Sequence, residues 1–432
     1  MTETLSIIIF LSALFVLLGL GVWVGIALLI TAILGMALFT SVPIGDAMAV
    51  TIWGGQSSWT LTALPLFIWM GEILFRTKLS ETLFRGLAPF LRRLPGGLLH
   101  VNVGASAVFA AISGSSAATV ATVGKMSIPE LTRRNYPDHM IVGTLSGAGT
   151  LGLLIPPSIS MIIFGVTVNE SISKLFMAAM IPGICLALMF MTYIALWSFL
   201  NRKTFNPVQD IEMSSLGRRL ADLLPVLCLI GADIGSIYSG IATATEAAAL
   251  GVVGSLLLSF WQRSLTRASF AASVIGSVRT TAMIMLILMG ASFLSLAMGF
   301  TGIPRALAEA IGGWNLGPLA LIAILTVFYI VLGCFLDGLS SIVLTMAVIE
   351  PMVRAAGFDM LWFGVYLMIV VEMAQITPPI GFNLFVLQGM TGRDMGFIAR
   401  ASFPMFVVMC LFVVVLVSFP GLATWLPEIL SK

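Results

Sequence analysis

The chain has 432 residues, of which 59% are hydrophobic and only 9% charged, with a formal net charge of +2. Soluble globular chains carry about 25% charged residues, so this composition excludes an ordinary soluble domain and points to a chain that crosses a membrane many times. The mean hydropathy of +1.09 agrees, and the small net charge argues against a nucleic-acid partner.

Apolar runs such as FVVVLVSF and VLCLIG do not alternate with period two, as membrane-barrel strands do, so the spans are read as helices. The four cysteines, Cys185, Cys228, Cys334 and Cys410, stand singly in apolar runs and read as small packing residues. His100 and His139 stand alone, and no cluster of His, Cys and carboxylates offers hydrolytic or metal chemistry. The chain is therefore not read as an enzyme, and no cleavable signal peptide is evident at its start.

In chain order, Leu5 to Phe39 is apolar throughout and too long for one span, so it splits near Gly19–Gly25 into two short helices. Further apolar segments cover 61–75, 97–131, 139–168, 175–200, 220–237, 241–262, 280–299, 317–355, 361–388 and 401–424. Basic residues cluster in five places: Arg76 to Arg93, Arg133–Arg134, Arg202 to Arg219, Arg263 to Arg279, and Arg393–Arg400. With all five on the cytoplasmic side, segment 97–131 must enter and leave by the same face. It becomes a re-entrant hairpin with Ser113–Ser116 at its tip. The same charge rule makes 317–355 a second hairpin from the opposite face. Polar backbone at such depth is tolerated only against protein or a water-filled cavity.

A repeat underlies this pattern. SGSS (Ser113–Ser116) matches GLSS (Gly338–Ser341), and LLIPPSI (Leu153–Ile159) matches AQITPPIGFN (Ala374–Asn383). Each half reads as span, amphipathic arm, hairpin and Pro-Pro-broken helix. The resulting division is 1–60 for N-terminal scaffold helices and 61–200 for the first repeat, with arm 76–95, hairpin 97–131 and broken helix 139–168. Connecting scaffold helices take 201–279. The second repeat takes 280–424, with arm 301–316, hairpin 317–355 and broken helix 361–388. The fold class is an all-α polytopic membrane protein with inverted repeats, two re-entrant helical hairpins and two Pro-Pro-broken spans, of elevator type like the ion-transporter superfamily.

Each Pro pair removes two backbone donors and frees carbonyls a turn back. Freed carbonyls suit a cation such as Na⁺, and half-helix N-termini suit an anion. A lone Ser-Ser in a membrane helix is usually local packing, but two matched pairs, each some forty residues before a matched Pro-Pro, favour a site. Asp337, an intramembrane carboxylate, reads as a cation ligand or a cap. Glu246 reads as a helix cap after Thr243. Glu372 either lines a cavity or caps a half-helix. Glu72 and Asp233 read as interfacial, and Trp53, Trp59, Trp197, Trp261, Trp314, Trp362 and Trp425 form an aromatic belt. No arginine is evident at mid-membrane to clamp a carboxylate.

The ordered set LPLFIWMGEIL, SGSSAATVATVG, GTLGLLIPPSI, TATEAAALG and EMAQITPPIGFN resembles the large membrane subunit of tripartite ATP-independent periplasmic (TRAP) transporters, the DctM type. The resemblance extends from about residue 5 to 424. One departure is Gly21-Val22-Trp23-Val24, where many relatives carry a Pro. The resemblance implies a Na⁺-driven symporter for organic acids in the bacterial inner membrane, moving its hairpin domain as an elevator. It implies two partners, a small four-helix membrane subunit of the DctQ type and a periplasmic binding protein of the DctP type. The substrate-binding candidates are Ser115, Ser116, Pro156, Pro157, Ser340, Glu372, Thr377 and Asn383. The Na⁺ candidates are Ser113, Gly114, Gly152, Asp337, Gly338, Ser341, Thr377 and Pro378. No organic cofactor is expected. The alternative is a self-sufficient Na⁺- or H⁺-coupled anion symporter on the same plan.

Overall fold

The computed structural model describes residues 2–77, 86–201, 216–301, 317–334, 336–378 and 381–430. Residues 78–85 of the first expected arm, nearly all of the second arm, and Pro379 of the second Pro pair lie outside them.

Every regular element among the described residues is helical. The first apolar run divides as its glycines suggest, into α1 (Thr2–Gly19) and α2 (Val24–Phe39), with Gly21 at φ +77° in the turn. Next come α3 (Ile44–Gln56), a short 3₁₀ turn (Trp59–Thr62) and α4 (Ala63–Phe75). The pair from 44 to 75 is bent by 59° at residues 57–58.

After these come two helices joined by a two-residue turn, α5 (Leu99–Ser113) and α6 (Ser116–Arg133), packed against each other. Then α7 (Asp138–Gly149) and α8 (Leu151–Leu154) run up to Pro156-Pro157, and α9 (Ile159–Thr167) continues beyond, bent by 42°. The long helices α10 (Ile172–Leu200), α11 (Leu216–Tyr238), α12 (Ala244–Trp261) and α13 (Arg267–Thr301) come next. The order of turn and break then recurs. Helices α14 (Pro318–Gly333) and α15 (Gly338–Ala355) flank a turn, and α16 (Met360–Gln375) and α17 (Phe382–Thr391) flank the second Pro pair. The chain finishes with α18 (Met395–Ser418) and α19 (Gly421–Leu430).

Among the described residues five helices are long and apolar enough to cross a membrane, or seven if each bent pair is one span. The shorter apolar helices include both arms before the turns, α5 and α14, and α16 before the second break. This is a multi-pass membrane protein.

Packing defines two groups, which touch where α4 lies on α5 and α13 on α15. In the first, α13 lies against α2, α3 and α4, and α12 lies on α4 and α11. Small residues allow the tightest approach: Gly25 on α2 and Gly290 on α13 face each other's helix so closely that a Cβ on either meets backbone oxygen at 2.6 or 2.4 Å. In the second group, α18 packs on α7, α17 on α6, α14 on α16, and α5 on α7 and α8. The core of this group is α16, whose residues Trp362 to Gln375 are all buried.

Several local expectations hold. Thr243 and Glu246 form a reciprocal capping box at the start of α12, with the Glu246 carboxylate accepting from Thr243 N at 2.8 Å. Trp53, Trp59, Trp261 and Trp425 are exposed as belt residues are. Others are corrected. Trp362 is buried and stacks between Phe358 and Tyr366. Asp233, near the C-terminal end of α11, is buried, its carboxylate packed where a Cβ on Gly251 of α12 would sit. Of the four cysteines only Cys334 is fully buried, while Cys228 is exposed. The basic cluster ending at Arg279 is not all loop, because α13 begins at Arg267 and carries Arg279 twelve residues, about 18 Å, along its axis.

Candidate functional site

The first turn is built by one glycine and a set of hydroxyls. Gly114 takes the left-handed conformation, φ +57°, that ends α5. Ser115 is extended and caps α6, accepting from Ala118 N. The hydroxyls of Thr119 and Ser113 donate to the Ser115 carbonyl at 2.8 and 3.2 Å. The turn sits directly on the first break. A Cβ on Gly152 would fall 2.7 Å from the Ser115 carbonyl and from Ser116 Cα. A Cβ on Gly114 would fall 3.1 Å from Pro157 O and Ile159 N. Only glycine permits two backbones to meet this closely.

The second turn uses a carboxylate. Asp337 caps α15, accepting from Leu339 N at 3.2 Å, from Ser340 N at 3.3 Å and from the Ser340 hydroxyl. Cys334 Sγ approaches Thr377 O and Pro378 O at 3.7 and 3.5 Å, and Gln375 Nε2 donates to Leu336 O at 3.4 Å. A Cβ on Gly338 would lie 3.0 Å from Val371 of α16 and 3.1 Å from Leu153 of α8. The second turn thus touches both broken helices, and all four irregular elements meet.

They meet on one cavity of about 1070 Å³. Gly114, Ser115 and Ser116, together with Asp337, Gly338 and Ser340, line it. The first residues of α9 (Ile159, Ser160) and of α17 (Phe382) line it too. The N-termini of α6, α9, α15 and α17 therefore all open onto the same space. Each carries the partial positive charge of a helix N-terminus, while side-chain caps already hold Ala118 N on α6, Met161 N on α9, and Leu339 N and Ser340 N on α15. The opposite wall is α13, from Arg279 to Met289, with Trp23–Gly25 at the start of α2.

The family model of the tripartite ATP-independent periplasmic transporter DctM component matches residues 11–422. The chain belongs to the DctM family of TRAP transporter components. It is 31% identical to the C4-dicarboxylate TRAP transporter large permease protein of Rhodobacter capsulatus, over 99% of this chain and all of that one. It is equally identical to the 2,3-diketo-L-gulonate TRAP transporter large permease protein of Escherichia coli, covering 97% and 98% of the two chains. Against the isethionate TRAP transporter permease protein of Oleidesulfovibrio alaskensis it is 30% identical and spans 62% of that longer protein. Among solved structures, the YdaH transporter of Alcanivorax borkumensis shares the fold at a TM-score of 0.65, with 13% identity over 92% of this chain and 97% of that one. This TRAP permease is thus a transport protein, not an enzyme.

The remaining candidate residues stand behind the cavity wall. Ser113 is bonded to the first turn, and Gly152 is the spacer beneath it. Pro156 and Pro157 form the first break without lining the cavity. Thr377 donates its hydroxyl back to Met373 O at 2.6 Å, and Pro378 is exposed at the second break. Ser341, Asn383 and Glu372 are fully buried, and their side-chain oxygens, with the Asn383 amide nitrogen, have no partner among the described residues. Ser116 of the first turn lies alongside Glu372 but outside hydrogen-bond geometry. Sequence reasoning missed Ser160, Gln375 and above all Arg279. The signal for Arg279 was available: between Arg267 and Arg279 the sequence has no proline and no cluster of turn residues, so nothing ends a helix there.

Proposed function

We propose that this chain is the large permease subunit of a Na⁺-coupled importer of organic acids in the bacterial inner membrane. It works with a small DctQ-type membrane subunit and receives substrate from a DctP-type periplasmic binding protein. The observation that carries this reading is the convergence of four half-helix N-termini on one cavity, an electrostatic setting for an anion. The substrates printed in the names of the relatives, C4-dicarboxylates, isethionate and 2,3-diketo-L-gulonate, are all organic anions.

Sodium is cargo in this scheme. The groups offered at the turns and breaks are hydroxyl and carbonyl oxygens with one carboxylate: Ser113, Ser115 and Thr119 at the first, Asp337, Thr377 and Pro378 at the second. Hard oxygen donors suit an alkali cation. The recurrence of turn and break, together with the opposite orientation that the charge rule assigns to the two halves, supports an inverted repeat of two re-entrant hairpins. An elevator motion would slide the hairpin group against the α2–α13 frame, and the cavity lies along that seam.

The test is thermal. A ligand that binds only the folded state raises stability by RT ln(1 + [L]/Kd). The midpoint of the purified chain with its small subunit is expected to rise saturably in NaCl but not in choline chloride of equal ionic strength. Equal midpoints in both salts would sink sodium coupling. Uptake into vesicles that persists after the binding protein is omitted would point instead to a self-sufficient symporter.

A further inference from the structure

Arg279 is exposed on the cavity wall and is not at an end of its helix. Among the described residues it makes no hydrogen bond or ion pair. An arginine inside an apolar helix is costly, and such residues normally face a partner or a polar pathway. Among the described residues Asp337 is the one other charged residue lining the space, and the two are not paired. Apart from Thr280, the rest of α13's contribution is apolar, including Met283, Leu286 and Met289, and across the cavity stand Leu153, Ile159 and Phe382.

Resting on the reading of this cavity as an organic-acid site, we propose that Arg279 is a substrate-binding residue that selects for organic monoanions with an apolar body. The guanidinium fork takes the acid group in a bidentate hold. The helix N-termini and the hydroxyls of Ser115, Ser116 and Ser340 surround it. The methionine and leucine wall takes an aryl or branched alkyl body, for which methionine's soft, adaptable side chain is suited. A dianion would bring its second carboxylate into a space where the only other charge among the described residues is the Asp337 carboxylate, with no second cation to receive it. The scaffold side of the cavity thus contributes specificity, although the irregular elements all lie on the hairpin side.

The experiment reads the field in the cavity without requiring transport. Ala117→Cys, at the first turn and lining the cavity, is introduced into a chain whose four cysteines are replaced by serine, purified with its small subunit. Its rates with an anionic sulfonate and a cationic trimethylammonium methanethiosulfonate are compared. Arg279→Gln is expected to lower the anionic-to-cationic rate ratio about tenfold, and Arg279→Lys to keep most of it. Phenylpyruvate is expected to slow labelling at concentrations where succinate does not, and Arg279→Gln to abolish that protection. An unchanged ratio in Arg279→Gln overturns the role of the arginine. Protection by succinate equal to that by phenylpyruvate, or by neither, overturns the monoanion preference. Absence of sodium-dependent stabilisation overturns the sodium coupling of the proposed function instead, and the labelling ratio is indifferent to it.

Discussion

The two turns that meet at the cavity are close counterparts in sequence but are held in different ways. The first, Gly114–Ser116, is fixed by backbone against backbone: Gly152 admits the Ser115 carbonyl, and the hydroxyls of Ser113 and Thr119 bind that same oxygen. It carries no charge. The second is fixed by the Asp337 carboxylate, which gathers two N–H groups and a hydroxyl, and by side-chain ends from Val371 and Leu153. One turn is held through close approach and the other through a carboxyl cap. The same topology therefore supports a neutral tip and an anionic one, and any cation response should depend far more on the second.

The largest expected contrast lies in the two spacing glycines. Gly152→Ala drives a Cβ into backbone atoms at 2.7 Å, which no rotamer relieves. A loss of about 3 kcal/mol is expected, read as a fall in thermal midpoint. Gly338→Ala meets only the ends of Val371 and Leu153 side chains, at 3.0 and 3.1 Å, and gains helix propensity. Its net effect is expected within about 1 kcal/mol. Equal damage from both would erase the distinction between a backbone contact and a side-chain contact.

Next in size is the charge. Asp337→Asn keeps a good capping residue but removes the anion, so stability in choline should change by less than about 1 kcal/mol. The sodium-dependent rise should largely vanish. Ser115→Ala costs about 1 kcal/mol of cap at most, because the bond from Ala118 N is already long at 3.5 Å. It should leave the sodium response intact, since the Ser115 carbonyl remains. A sodium response that survives Asp337→Asn but not Ser115→Ala would reverse the roles of the two turns.

Glu372 sharpens the comparison further. Its two oxygens are buried beside Ser116, without partners among the described residues. Glu372→Gln is expected to fold and to retain the sodium-dependent rise, because its side chain does not line the cavity. If that rise disappears, coupling runs through α16 rather than through the second turn. The smallest effect belongs to Glu246→Gln, at the exposed capping box of α12 and remote from both turns. The smallest fall in thermal midpoint of the set, with no effect on sodium, is expected.

By itself, the sequence determined the class of protein, the limits of the helices around the two turns and the position of the irregular backbone. Spanning-length apolar runs, Gly-Ser tips and Pro-Pro pairs act locally: Gly114 terminates α5, Ser115 caps α6, Asp337 caps α15, and the prolines remove donors wherever they stand. Those signals need no tertiary context, so the limits of α5, α6 and α15 fall close to the boundaries expected. Tertiary structure decided which side chains share the cavity. Ser340 and Ser341 are neighbours in sequence, yet one faces the cavity and the other is buried behind it, because a helix turns its face by about 100° per residue. The place of Arg279 was likewise invisible to the charge rule, which reads basic residues as loop markers. Only the packing of α13 across from both turns puts that cation on the same cavity as two hydroxyl-rich helix ends.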